Sequence, residues 1–137
     1  MIKIAKAIVY KDARVLIAKL RYTDALVPKM EWTFPYVMLK ENESPRVLVK
    51  NVFSEFGLQV DPGKFFLKCV PSENFKIEEY YYESKYQRGF VTNSKVYSQF
   101  AWVLPTQILK YFTTTINTEI MDYLRSLEET GKGVVIE

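Results

Sequence analysis

Apolar positions recur with two different periods along this chain, and the changes of period mark its elements. From Ile2 to Tyr10 the residues are apolar and β-branched, with Lys3 and Lys6 interspersed, and Val15-Leu16-Ile17-Ala18 forms the centre of a second such run, Arg14 to Arg21. Lys11-Asp12-Ala13 lies between them, a short polar link that predicts a β-hairpin. Both runs are nearly continuous in apolar residues, which places the hairpin in the middle of a sheet rather than at a wet edge. Tyr22 to Met30, with Pro28, reads as a loop. Glu31-Trp32-Thr33-Phe34-Pro35 reads as a short extended segment, because the residue before a proline is biased away from helix.

The period then becomes helical. Ser44 is a good N-cap, Pro45 suits the first helical position and Gly57 suits the C-terminal stop, so the pattern predicts a helix from Ser44 to Phe56. Leu48, Val49, Val52, Phe53 and Phe56 make its apolar stripe, with Arg46, Lys50, Asn51, Ser54 and Glu55 on the other side. Asp61-Pro62-Gly63 is a turn, and Lys64 to Val70, Phe75 to Tyr86 and Lys95 to Leu104 read as strands, with Gln87 to Ser94 as a polar connection. Within the second of these, Tyr80-Tyr81-Tyr82 should alternate between the faces of the sheet. Pro105 to Phe112 predicts a short helix and Asn117 to Glu128 a longer one, whose core stripe is Ile120, Met121, Leu124 and Leu127. This order predicts an α+β fold with helices on the faces of a mixed sheet: one domain over 1–128 and a C-terminal tail over 129–137.

Composition narrows the chemistry. The 137 residues suit a single domain, and 48% hydrophobic with 26% charged residues exclude general disorder. There is no histidine, which removes Ser-His and Cys-His nucleophilic catalysis and the usual transition-metal ligands. A single cysteine, Cys69, excludes an intramolecular disulfide framework and a cysteine-based zinc site. Lys plus Arg is 19 against 16 for Asp plus Glu, a net +3 that suits an anionic small molecule. The positive charge is scattered along the sequence, so nucleic acid is not an expected partner. No apolar run approaches a membrane span and Met1-Ile2-Lys3-Ile4 lacks a signal-peptide layout, so the expected location is cytoplasmic.

The segment from Val15 to Leu58 resembles the Nudix family. The likeness rests on Val15-Leu16-Ile17-Ala18-Lys19, Glu31-Trp32-Thr33-Phe34-Pro35, Glu43-Ser44-Pro45 and Lys50 through Leu58. Phe100-Ala101-Trp102-Val103-Leu104-Pro105 and Asn117 to Leu127 look like the family's late Trp strand and terminal helix. The resemblance implies a Nudix-type α/β/α sandwich with a mixed sheet. It also implies hydrolysis of nucleoside diphosphate derivatives with Mg²⁺ or Mn²⁺, hard cations that want anionic oxygens.

The departures fall on that chemistry. The family has Gly-Gly after Phe-Pro; this chain has Tyr36-Val37. In its box an arginine and a glutamate are followed by a glutamate pair three residues on, then by Gly and an apolar residue. Counting back from Gly57-Leu58, Lys50 replaces the arginine, Asn51 the first glutamate and Ser54 the next, while Glu55 is retained. The upstream box glutamate is Glu43 when counted from Phe34-Pro35, but Asn42 stands there when counted from Gly57, so the chain is one residue short between the two anchors. No Asp or Glu occurs between Glu83 and Glu119 to supply a later carboxylate.

The resemblance thus implies Glu55 as catalytic residue and metal ligand, with Glu43 or Glu41 as further ligand. Lys50 would hold the arginine's place, Lys19 and Arg21 would meet substrate phosphates, and Asn117 would hydrogen-bond a purine unless it simply caps the terminal helix. Two functions follow: an impaired pyrophosphohydrolase, or a non-catalytic Nudix-fold module binding a nucleotide or a partner protein. The aromatic-rich strands between Phe75 and Phe100 also offer a surface for a homodimer.

Overall fold

A computed structural model describes residues 2–44, 47–61, 64–71, 73–91 and 94–130, and of residues 49, 66, 129 and 130 it describes the backbone alone. Eight strands are present among these residues: β1 (Ile2–Lys11), β2 (Arg14–Leu20), β3 (Trp32–Thr33), β4 (Tyr36–Leu39), β5 (Gln59–Val60), β6 (Lys64–Cys69), β7 (Ile77–Arg88) and β8 (Tyr97–Val103). Two α-helices, α1 (Val47–Phe56) and α2 (Thr118–Thr130), and a 3-10 helix, Pro105–Lys110, complete the fold. Pro45, Arg46, Pro62, Gly63 and the segment 131–137 lie outside the described residues, and with them the expected proline start of α1, the body of the Asp61-Pro62-Gly63 turn and most of the tail.

The hairpin forms where the pattern put it. Tyr10 pairs with Val15 and Lys11 with Arg14, and the two turn residues Asp12 (φ 50°) and Ala13 (φ 63°) both adopt left-handed backbone, as a two-residue hairpin turn requires. Beyond that end β1 and β2 diverge. The wedge between them is filled by β3, antiparallel to β2, and β4, antiparallel to β1 from Lys3↔Leu39 to Lys6↔Tyr36. On its other edge β1 runs parallel to β7 from Ile2↔Ile77 to Tyr10↔Lys85, while β6 and β5 pair antiparallel with β7 and β8 with β2. β1 is therefore central, as expected. β4 and β5 correct the sequence reading, which had no strand at either place. Both are short, and their extended state comes from pairing with β1 and β7 rather than from their own pattern.

Alternation along β1 feeds two cores. Ile8 and Tyr10 point to one face, where α2 lays down Ile120, Met121, Leu124 and Leu127 beside Phe34 and Ile108. Ala5, Ala7 and Val9 point to the other, where α1 contributes Leu48, Val52 and Phe56. Tyr81 joins the α2-side core and Tyr82 packs on the α1 side, the alternation expected of the tyrosine run. The α1 stripe differs from expectation at Phe53, which is 61% exposed. At 100° per residue Phe53 lies about 100° from the line through Leu48, Val52 and Phe56. α2 runs through Thr130, so Glu129 and Thr130 belong to the helix rather than to a tail. Among the described residues no helix is long and apolar enough to cross a membrane.

Candidate functional site

The C-terminal half of α1 meets the segment before β8. Glu55, half-buried, accepts a hydrogen bond from the Ser94 hydroxyl at 2.7 Å. The same Ser94 oxygen accepts the backbone N–H groups of Val96 (3.0 Å) and Tyr97 (3.1 Å), an arrangement that folds 94–97 into a turn. Arg21, just after β2, closes the other side: its guanidinium donates to the carbonyls of Ser94 (2.9 Å) and Tyr97 (3.4 Å). Tyr97 is buried, stacks on Phe56 with ring centroids 5.0 Å apart, and accepts the Tyr36 N–H at its phenolic oxygen. Burial is the main cause that holds the Tyr97 hydroxyl well above the ordinary phenol range. Arg21, Phe56, Ser94 and Tyr97 line a cleft of about 350 Å³, with Glu55 behind Ser94 rather than in its wall.

The remaining residues singled out in the sequence are not among those lining this cleft. Asn51, one turn before Glu55, has its Oδ1 buried without a hydrogen-bond partner, while Ser54 and Lys50 point to solvent. Glu43 turns back on its own loop, where its carboxylate accepts the Lys40 N–H at 2.8 Å while its own N–H donates to the Lys40 carbonyl. Asn42, at the crown of that tight turn, takes left-handed backbone (φ 64°). Lys19 faces Trp32 across the β2–β3 pair, on the side of Ile17, and is not among the residues lining the cleft, whereas Arg21 is. Tyr36 and Val37, standing where Gly-Gly was the pattern, start β4, with the Tyr36 hydroxyl donating to Asp24 at 2.5 Å.

These groups do not suit a divalent cation. Among the described residues no group of three or more acidic, cysteine or histidine side chains is placed to hold one. Glu55 is the single carboxylate on its helix face, and Ser94 already occupies one of its oxygens. The orphan at Asn51 is an amide. Burying an unpaired amide oxygen costs about 1–3 kcal/mol, whereas an unpaired carboxylate at the same depth costs far more and would call for a counter-ion. A neutral residue at position 51 is what a metal-free site tolerates.

On the opposite face of the sheet, sequence reasoning missed a buried ionic cluster. Lys6 Nζ and Glu79 lie 2.7 Å apart, both nearly buried, and Tyr81 donates to the same carboxylate at 3.0 Å. Cys69 lies 3.7 Å from it, and burial followed by the Glu79 charge pushes its thiol up to about 12. The cavity above this cluster, walled by Phe34, Phe112 and Thr114–Ile116, is only about 20 Å³ and admits no nucleobase. Asn117, next in sequence, accepts the Glu119 N–H at 2.8 Å through its side-chain oxygen and so caps α2. The available signal was Lys6 at an inward position of an otherwise apolar strand.

No protein-family model matches this sequence, and no curated protein matches it. Solved structures do. A MutT protein from Methanosarcina mazei Go1 superposes with a TM-score of 0.67 at 18% identity, over 96% of this chain and 95% of its own. An ADP-ribose pyrophosphatase from Streptococcus suis gives 0.62 at 13% identity, over 99% and 96%. A NUDIX hydrolase from Nitrosomonas europaea gives 0.66 at 14%, over 96% and 90%. Likeness this complete at such low identity is a likeness of architecture: the chain has the Nudix fold, an α/β/α sandwich around a mixed sheet.

Proposed function

We propose that this chain is a Nudix-fold binding module for nucleotide-type ligands, in which metal-dependent hydrolysis of nucleoside diphosphate derivatives is weak or absent. One observation carries the reading: Glu55, the lone carboxylate on the helix face that would hold metal, is bonded to Ser94 and flanked by the neutral Asn51 and Ser54. The proteins it superposes on include a MutT and an ADP-ribose pyrophosphatase, which supports a nucleotide derivative as ligand class. The rival reading, a Mg²⁺- or Mn²⁺-dependent hydrolase with Glu55 and Glu43 as ligands, lacks the third carboxylate and has Glu43 engaged with Lys40.

The test is titration of Mg²⁺ and Mn²⁺ by calorimetry, together with turnover of a panel of nucleoside diphosphate derivatives. We expect no saturable metal heat and no metal-dependent turnover. The variant Asn51→Glu/Ser54→Glu should bind Mg²⁺ and gain thermal stability from it, since a ligand that binds only the folded state raises Tm. Mg²⁺-dependent turnover in the wild type that Glu55→Gln abolishes would overturn the proposal.

A further inference from the structure

Two cavities adjoin on the α1 side of the sheet, of about 350 Å³ and 250 Å³, and Val91 and Phe100 form their common wall. The first is backed by the stacked Phe56–Tyr97 pair. The second is backed by Tyr86 and Trp102, edge to face with centroids 6.2 Å apart. Phe100 is 48% exposed and Phe90, on the rim of the second cavity, is 86% exposed. Each cavity has one cation. Arg21 is fixed in the first by its bonds to two carbonyls, and Lys11 sits in the second with its Nζ 4.2 Å from the Tyr86 ring centroid. Among the described residues no carboxylate lines either cavity, and neither cation has an ion-pair partner.

This combination selects a ligand. Rings left in water forgo the burial that a core position gives them, and at Phe90 the backbone is not free to tuck the ring away. Gly89, beside it, has φ +109°, and a Cβ there would overlap the Gly57 carbonyl oxygen; the Tyr86 hydroxyl pins the Gly89 carbonyl at 2.8 Å. Two aromatic cavities with one shared wall and a cation in each are complementary to two planar groups joined by an anionic link. We infer that this groove binds single-stranded nucleic acid, two successive bases entering the cavities and stacking on Phe100 and Phe90 while the phosphates meet Arg21 and Lys11. Lys11 and Arg21 are scattered in sequence, and the hairpin together with β8 brings them to one groove. The inference is independent of whether the chain hydrolyses anything.

The experiment is fluorescence anisotropy of labelled single-stranded RNA and DNA dodecamers, with a phosphate-linked dinucleotide and an acidic aromatic peptide as competitors. Binding is expected, with Phe90→Ala and Phe100→Ala each weakening it about five- to a hundred-fold, as loss of one stacked base does. Lys11→Gln should reduce the salt dependence by about 0.7 in slope, one phosphate contact on a single strand. Phe90 and Phe100 are exposed enough that both variants should keep the wild-type Tm, and circular dichroism checks this. Absence of binding at about 100 µM protein in low salt overturns the inference. So does binding that both alanine variants leave intact, a phosphate-linked dinucleotide that fails to compete, or an acidic peptide that competes as well as an unlabelled dodecamer.

Discussion

The Lys6–Glu79 pair should behave as a unit whose halves cannot be removed separately. At 2.7 Å the attraction is about 6 kcal/mol for an effective dielectric of about 20, and taking both ions out of water costs several kcal/mol each. The pair therefore comes close to break-even against an apolar replacement, while each half alone leaves a stranded charge. Lys6→Met leaves Glu79 with only Tyr81 and Cys69 around it, and Glu79→Met strands the ammonium; each should lose about 3–5 kcal/mol. In Lys6→Met/Glu79→Met no charge remains and the cost reduces to the lost Tyr81–Glu79 hydrogen bond, about 0.5–1.5 kcal/mol. Urea unfolding of the four proteins measures this directly, provided the slope m is unchanged. The double variant should be more stable than either single one. Additive losses, or single variants within about 1 kcal/mol of wild type, would refute the argument that the pair is desolvated and coupled.

Asn117→Ala should cost about 1 kcal/mol in chemical denaturation and leave ligand affinity unchanged, because its side-chain oxygen is engaged with the Glu119 N–H. Ala13→Gly should raise stability by about 0.5–1 kcal/mol, since Ala13 sits at φ 63° where an L side chain is strained; a loss would contradict the left-handed turn. Burial first, and the nearby Glu83 carboxylate next, push the Tyr10 phenol up to about 12, and Tyr36, Tyr97 and Tyr123 are raised too, mainly by burial. Unfolded tyrosine ionises near pH ~10, so this stabilisation is complete below that pH and is lost as pH rises toward 12. Phenolate absorbance of these residues should therefore appear together with loss of circular dichroism, and their ionisation in a folded protein near pH ~10 would contradict it.

What the sequence disclosed and what it hid divide along local and non-local physics. The β1–β2 hairpin and α1 were legible because their signals lie within a few residues: a polar link between apolar runs, and a stripe at Leu48, Val52 and Phe56. Phe53 was misread because apolar character alone does not fix which side of a helix a residue takes. β4 was invisible because Tyr36–Leu39 becomes a strand only through the edge that β1 offers at Lys3–Lys6. The Lys6–Glu79 pair was hidden for a similar reason: the parallel register of β1 and β7 brings together residues that each look like an ordinary polar interruption in a strand. That Asn51 and Ser54 are neutral and Glu55 acidic was legible from the start, but not that Glu55 would find Ser94, which depends on how the chain returns to β8.

That bond explains how a helix face with a single carboxylate sits within this fold. The part of α1 that holds the sandwich together is Leu48, Val52 and Phe56, and Lys50, Asn51, Ser54 and Glu55 lie outside that stripe. Lys50 and Ser54 face water, where substitution has little effect on stability. Asn51 and Glu55 flank the buried stripe, where a residue must answer for its burial; one answers by being neutral, the other by binding Ser94. The Ser94 oxygen that donates to Glu55 also gathers the N–H groups of Val96 and Tyr97, so the Glu55 carboxylate anchors the turn from which Tyr97 enters the cleft. The carboxylate here positions a wall of the cleft. Removing it with Glu55→Ala should therefore change the cleft through the 94–97 turn, and do so equally in the presence and absence of Mg²⁺.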